Sequence, residues 1–291
     1  MIRERFAPSP TGYLHLGHAY SAAIAWRSAR SGAGQFLLRI ENIDVERCRA
    51  EFERAIYEDL AWLGFSWASP VMRQSERSSA YAAALEKLID LGICYPCGCS
   101  RKDIRQSLSA PQENRPGKSP LRPTATYPGT CRSRSMRGKT DEDAIRINLN
   151  KAFDLLGGSS SIRNLEWVET GVERKGVHRL DPEFLESLHG DFVLARKFVG
   201  TSYHLACVVD DSEQRISRVT RGMDLVDSTP AHRLLQELLG IEPPVWHHHP
   251  LVRDENGKRL AKRDDARAIR KFRDDGLCPT EIFKLSGVPQ L

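Results

Sequence analysis

Apolar positions follow two alternating rhythms along the first ninety residues. Arg3–Ala7 and Gln35–Glu41 are short runs that crowd hydrophobic side chains without helical spacing, the second just after Gly32 and Gly34, and both predict strands. Between them the Ala-rich segment Ala19–Arg30 predicts a helix. Glu51–Leu63 sets Phe52, Ile56, Leu60 and Leu63 at helical spacing and stops at Gly64. Ser78–Leu91 repeats the device with Tyr81, Leu85, Leu88 and Ile89 ahead of Gly92. Alternation of strand and helix predicts an α/β fold with a parallel, doubly wound sheet.

The rhythm breaks at Cys94. Residues 100–140 are rich in Ser, Arg, Pro and Gly, and Pro111–Pro128 holds five prolines without apolar periodicity, which predicts a loop or inserted segment. Order returns at Ile145–Leu149. Asp191–Val199 and Tyr203–Val209 are apolar runs of strand length, and Val219–Arg221 follows. Thr229 with Pro230 opens a helix that ends near Leu239, before Gly240. No internal repeat is visible. The expected organisation is a nucleotide-binding fold in two halves, 1–93 and 191–246. An insertion over 94–190 separates them, and a loop with a short helical segment follows over 247–291.

Composition narrows the setting. The 291 residues are 40% hydrophobic, enough for a core without disulfides, and no apolar stretch approaches the roughly 18 residues that span a bilayer. Met1-Ile-Arg-Glu-Arg lacks a signal-peptide apolar region, so a cytoplasmic protein with no membrane association is expected. The net charge of +5 permits a polyanionic partner, and basic residues gather in Arg101–Lys139 and Arg253–Arg273. Seven cysteines, an odd number in a reducing compartment, argue against a disulfide framework. The grouping of Cys94, Cys97 and Cys99 points to metal instead.

The chemistry concentrates in Pro8-Ser-Pro-Thr-Gly-Tyr-Leu-His-Leu-Gly-His-Ala19, between the first strand and the first helix. A helix N-terminus offers unpaired N–H groups and a positive dipole, and His15 and His18 share one helical face, so this is a place to hold a phosphate. The run resembles the HIGH signature of class I aminoacyl-tRNA synthetases of the glutamyl type, in which Pro-Ser-Pro-Thr-Gly precedes the tetrapeptide, here His15-Leu16-Gly17-His18. The resemblance implies a Rossmann-like class I synthetase catalytic domain, split by a zinc-containing insertion, that binds ATP through His15, Gly17, His18 and Lys262. Lys262 stands in Arg259-Leu260-Ala261-Lys262-Arg263, which is similar to the family's KMSKS signature. Arg259 keeps the charge of the usual lysine, and Ala261 lacks the hydroxyl of the usual serine. His15, His18 and Lys262 are the expected catalytic residues, with Mg2+ accompanying ATP.

The resemblance covers most of the chain and implies a glutamate site. Arg5-Phe6-Ala7-Pro8-Ser9 matches the family's amino-acid-binding opening. Arg5 would pair its planar guanidinium with the substrate side-chain carboxylate, and Ser9 would add a hydroxyl contact. Glu41, in Arg39-Ile40-Glu41-Asn42-Ile43-Asp44, would neutralise the α-ammonium, with Asn42 in place of the usual Asp. Tyr203 and Arg221 match residues that contact the amino acid. His247–His249 reads as a strand or loop whose alternate side chains face opposite ways, rather than a metal tract.

Cys97, Cys99 and Cys131 supply three ligands for a tetrahedral zinc. No His lies between residues 19 and 177, so the fourth ligand is Cys94 or Tyr127. The C-x-C…Y-x3-C pattern resembles the zinc site of glutamyl-queuosine tRNA(Asp) synthetases, short paralogues of the glutamyl enzymes. That resemblance implies one structural Zn2+ held by Cys97, Cys99, Tyr127 and Cys131. It also implies the acceptor, because the chain ends at Leu291, soon after the lysine signature, where a glutamyl-tRNA synthetase continues into an anticodon-binding region. The expectation is a monomer that converts ATP and L-glutamate to glutamyl-AMP without tRNA. It then transfers glutamate to the queuosine base in the anticodon of tRNA(Asp). Two alternatives stay open: charging of a tRNA 3′ end, and a catalytically silent RNA-binding paralogue.

Overall fold

The computed structural model describes residues 1–100, 102–104, 126–252 and 267–288. Strands β1 (Arg3–Phe6), β2 (Gln35–Ile40) and β3 (Ala68–Arg73) pair in parallel, with helices Leu16–Arg30 and Ala50–Trp62 as the crossovers. The first helix buries Ala19, Ala22, Ala23, Ala25 and Ala29, and these small side chains let it approach Phe6, Phe36, Leu38 and Ile40 of the sheet closely. The helices Ile269–Asp274 and Pro279–Ser286 join this core through Ile269 and Ile282. Ile269 N donates to Leu14 O at 2.8 Å, which fastens the chain that follows residue 266 beside His15.

Strand β4 (Cys94–Cys97) starts a separate antiparallel sheet with β5 (Ala144–Ile147) and β8 (Val193–Ala195), in the order β4-β5-β8. The remaining strands are β6 (Glu166–Glu169), β7 (Gly176–Arg179), β9 (Arg218–Gly222) and β10 (Val245–His249). Strand β10 pairs in parallel with both β9 and β6, and β7 closes the edge antiparallel to β6. The two parallel groups meet at β1 and β9, where Ser217 N donates to Arg3 O (3.1 Å) and Thr220 Oγ1 to Glu4 Oε1 (3.1 Å). The sheet therefore reads β3-β2-β1-β9-β10-β6, and its order reverses between β1 and β9, the place where open α/β sheets form a ligand crevice.

Two pairings cross the boundary expected at residue 190. Strands β6 and β7 extend the second parallel group, where Trp167 packs against Trp246 and Val219. Strand β8 joins β5 because Leu194 shares a core with Ile145 and Ile147. A third difference concerns Tyr203–Val209, expected as a strand. It is the first part of a helix, Tyr203–Glu213, capped by Ser202, whose Oγ accepts from Leu205 N (3.4 Å). That helix buries Leu205, Ala206, Cys207, Val208, Asp210 and Asp211 on several sides, and an almost wholly buried helix gives the same continuous apolar run as a buried strand. Among the described residues, no helix is long and apolar enough to cross a membrane.

Candidate functional site

Arg5, Phe6, Ala7, Pro8, Ser9, His15, Gly17, His18, Glu41, Tyr203 and Arg221 all line one cleft of about 600 Å3. It opens where the order of the parallel strands reverses. Lys262 lies outside the described residues, as do Arg259 and Ala261.

The two histidines cap the first helix and line the cleft at the same time. His15 Nδ1 accepts from Gly17 N (3.1 Å), and His18 Nδ1 accepts from His15 N (3.1 Å), a reciprocal capping box. With both Nδ1 atoms accepting, the proton of each neutral ring sits on Nε2, which makes that nitrogen a donor suited to an anionic oxygen. A side chain at position 17 would put its Cβ 3.1 Å from His15 Cε1, so any residue but glycine would press the ring a few tenths of an ångström out of its capping position.

A charge network underlies the other end of the cleft. Arg5 Nε and Nη2 donate to Asp211 Oδ1 and Oδ2 at 2.8 and 3.3 Å. Arg39 Nη1 donates to Asp211 Oδ1 (2.6 Å) and its Nη2 to Glu41 Oε1 (3.1 Å). Two guanidiniums thus face Asp211 and Glu41, with Asp210 Oδ2 in addition 4.0 Å from Arg39 Nε. Burial opposes the charge on Asp211, but Arg5 and Arg39 hold its carboxyl down at about 2. Burial pushes the Glu41 carboxyl above the usual range, countered only in part by Arg39 and Arg5.

Arg221 differs. It is buried, yet among the described residues it has no carboxylate partner. Its Nε donates to His248 Nε2 (2.9 Å), Nη2 to Thr229 Oγ1 (2.7 Å) and Nη1 to Tyr203 Oη (3.4 Å). The cleft wall therefore carries Arg221, a guanidinium with no carboxylate partner among the described residues, together with the carboxylates of Glu41 and Asp224. That pattern suits a small zwitterion with an additional negative charge. Asn42 turns away to Ser75, with its Nδ2 donating to Ser75 Oγ (2.9 Å).

Sequence reading missed Asp211 and His248. Tyr203, Cys207 and Asp211 recur every four residues, a helical face that the strand assignment concealed. The histidine run forms β10, as expected. His247 meets Thr170 and Arg218, His248 meets Glu169 and Arg221, and His249 meets Ser21.

The thiols of Cys97, Cys99 and Cys131 lie within 4.8 Å of one another. Tyr127 Oη joins them, 3.4 Å from Cys97 Sγ and 3.8 Å from Cys99 Sγ, while Cys131 N donates to it at 2.8 Å. Burial opposes the Cys131 thiolate, but hydrogen bonds from Tyr127 and Cys99 bring it down to about 7. Cys94 belongs to a different environment, the apolar core around Leu88 and Ile147, where burial pushes its thiol up to about 12. Three convergent sulfurs and a phenolic oxygen form a donor set that could bind a soft, tetrahedral metal ion.

The family described as tRNA synthetases class I (E and Q), catalytic domain, matches residues 1–155 and 160–287. A Glutamyl-Q tRNA(Asp) synthetase of Rhodobacter capsulatus is 48% identical over 288 residues, which cover 98% of this chain and 99% of that protein. One of Nitratidesulfovibrio vulgaris is 38% identical, covering 97% of this chain and 84% of the relative. A Glutamate–tRNA ligase of Hydrogenobaculum is 36% identical, and there the chain spans only 57% of the relative's length. A solved glutamate tRNA ligase of Elizabethkingia meningosepticum superposes with a TM-score of 0.73 at 23% identity. The chain covers 60% of that protein, and the likeness shows a shared fold.

Proposed function

From the premise that this chain belongs to the glutamate and glutamine family of class I tRNA synthetases, we propose that its cleft activates L-glutamate with ATP and passes the glutamyl group to queuosine in the anticodon of tRNA(Asp). The observation that carries the reading is the pairing, in one cleft, of a charge pattern matched to glutamate with a histidine-capped helix N-terminus matched to phosphate. The names of the most similar relatives support the acceptor.

In this reading Glu41 takes the substrate ammonium, while Arg5, Arg221, Tyr203 and Ser9 hold the carboxylate end against Phe6, Ala7 and Pro8. An α-carboxylate oxygen attacks the ATP α-phosphorus in line. The new O–P bond forms as the bond to the β-phosphate bridging oxygen breaks and pyrophosphate leaves. The protein contributes position and positive potential rather than covalent chemistry. His15 and His18 donate through Nε2 to the phosphate oxygens, helped by the helix dipole, and Lys262 adds charge. Mg2+ bound with ATP would further neutralise the phosphates. A queuosine hydroxyl then attacks the glutamyl carbonyl and AMP departs. One Zn2+, held by Cys97, Cys99, Cys131 and Tyr127, would pin the segment between β4 and β5. The insertion, taken as 94–190, would lie against the RNA backbone. We place the reaction in the cytoplasm and on a monomer.

The test is ATP–pyrophosphate exchange dependent on glutamate, without tRNA, followed by glutamate transfer to tRNA(Asp) trimmed of its terminal adenosine. Exchange in the wild type, its loss in Lys262→Ala and full acceptance by trimmed tRNA are expected. Loss of acceptance on trimming would favour charging of the 3′ end, and absence of exchange would favour a silent RNA-binding protein.

A further inference from the structure

Arg221 is held from behind by a buried chain of three residues. Glu169, the last residue of β6, is 2% exposed. Its Oε1 accepts from His248 N (2.9 Å) and Gly171 N (2.6 Å), and its Oε2 accepts from His248 Nδ1. With the Nδ1 proton given to Glu169, the His248 Nε2 lone pair faces Arg221 and accepts its Nε–H at 2.9 Å. Position 171 must be glycine for this to close, because a Cβ there would lie 2.1 Å from His248 O and 2.9 Å from Glu169 Oε1.

We propose that Glu169 and His248 are positioning residues that orient Arg221 toward the amino acid in the cleft, an inference that rests on the glutamate-activation reading above. The contrast with Arg5 gives the reason. Asp211 contacts Arg5 directly and cancels much of its charge, whereas an imidazole interposed between Glu169 and Arg221 passes on alignment and leaves the guanidinium charge for a ligand. Burial keeps His248 below the usual histidine range despite Glu169, so the ring stays neutral and its Nε2 stays an acceptor. A protonated ring would turn a second donor against the Arg221 Nε–H.

The test uses His248→Leu, which removes the acceptor, His248→Gln, whose amide oxygen can replace it, and Glu169→Gln. Glutamate-dependent exchange should show KM for glutamate raised about tenfold or more in His248→Leu, with KM for ATP within about twofold of wild type. His248→Gln should recover most of the loss, a rescue that a purely structural role would not produce. An unchanged glutamate KM in folded His248→Leu overturns the proposal. If that variant does not fold, Glu169→Gln decides, because a several-fold rise in glutamate KM supports the proposal and no change refutes it. Wild-type protein without exchange would instead remove the functional reading. The Arg221 Nε–H NMR signal would then decide the positioning claim by itself: protected in wild type and His248→Gln but exchange-broadened in His248→Leu if the proposal holds, the same in all three if it fails.

Discussion

Asp211 is the most informative single residue to perturb, because it stands between two buried guanidiniums. In Asp211→Asn the shape is kept and one acceptor oxygen survives, but Arg5 loses its carboxylate and Arg39 retains only Glu41 and, at 4.0 Å, Asp210 as compensating charges. The carboxyl sits at about 2 in the folded chain against an ordinary 3.8, which corresponds to roughly 2 kcal/mol of stability. Breaking a buried pair at one partner typically costs about 3–5 kcal/mol, and the surviving amide oxygen offsets part of that. The expected loss is therefore about 2–4 kcal/mol at neutral pH, or roughly 5–10 °C in Tm for a chain of this size. The sign with pH follows from the depressed value. The contribution is complete above 3.8 and disappears as pH falls through about 2, so wild type and variant should converge in acid. Thermal unfolding followed by circular dichroism at several pH values measures this. A variant that melts within about 1 °C of wild type at pH 7 would refute the claim that Asp211 organises the cleft charges.

Three further outcomes follow from other parts of the molecule. Gly17→Ala should raise KM for ATP about tenfold with little change in Tm, because the helix preference of alanine offsets the weakened cap while its Cβ crowds the His15 ring from 3.1 Å; unchanged ATP affinity would contradict the histidine geometry. Tyr127→Phe should weaken zinc binding at least tenfold in a chelator competition, and equal affinity would show that the phenolic oxygen is no ligand. Asp59, fully buried, is pushed up to about 6 by burial despite Arg273, so its neutral form stabilises the fold and that contribution is lost as pH rises from about 4 to 6. Asp59→Asn should gain stability relative to wild type between pH 4 and pH 7, and a pH-independent difference would assign the perturbation elsewhere.

The first half of the fold was readable because its elements obey simple periods. Phe52, Ile56 and Leu60 mark one helix, ended by Gly64, and the short run at Gln35–Ile40 marks a strand that follows Gly34. The cleft residues were readable for a different reason: Pro8 to His18 is a local motif whose geometry depends on neighbours only a few residues apart. What escaped was non-local or ambiguous in period. Asp211 reaches Arg5 across 206 residues, and nothing in the sequence near either announces the pairing. The Tyr203–Glu213 helix hid because burial on several sides erases the polar face that reveals a helix. Strand β6 escaped the expected second half because it joins the edge of the parallel sheet through a single registered pair, Trp246 with Glu169.

The central claim is that the cleft delivers glutamate to queuosine. Labelled glutamate, ATP and enzyme should be incubated with two preparations of tRNA(Asp), one containing queuosine and one with unmodified guanosine. The account predicts stable labelling of the queuosine-containing tRNA alone, and equal labelling of both preparations would contradict it.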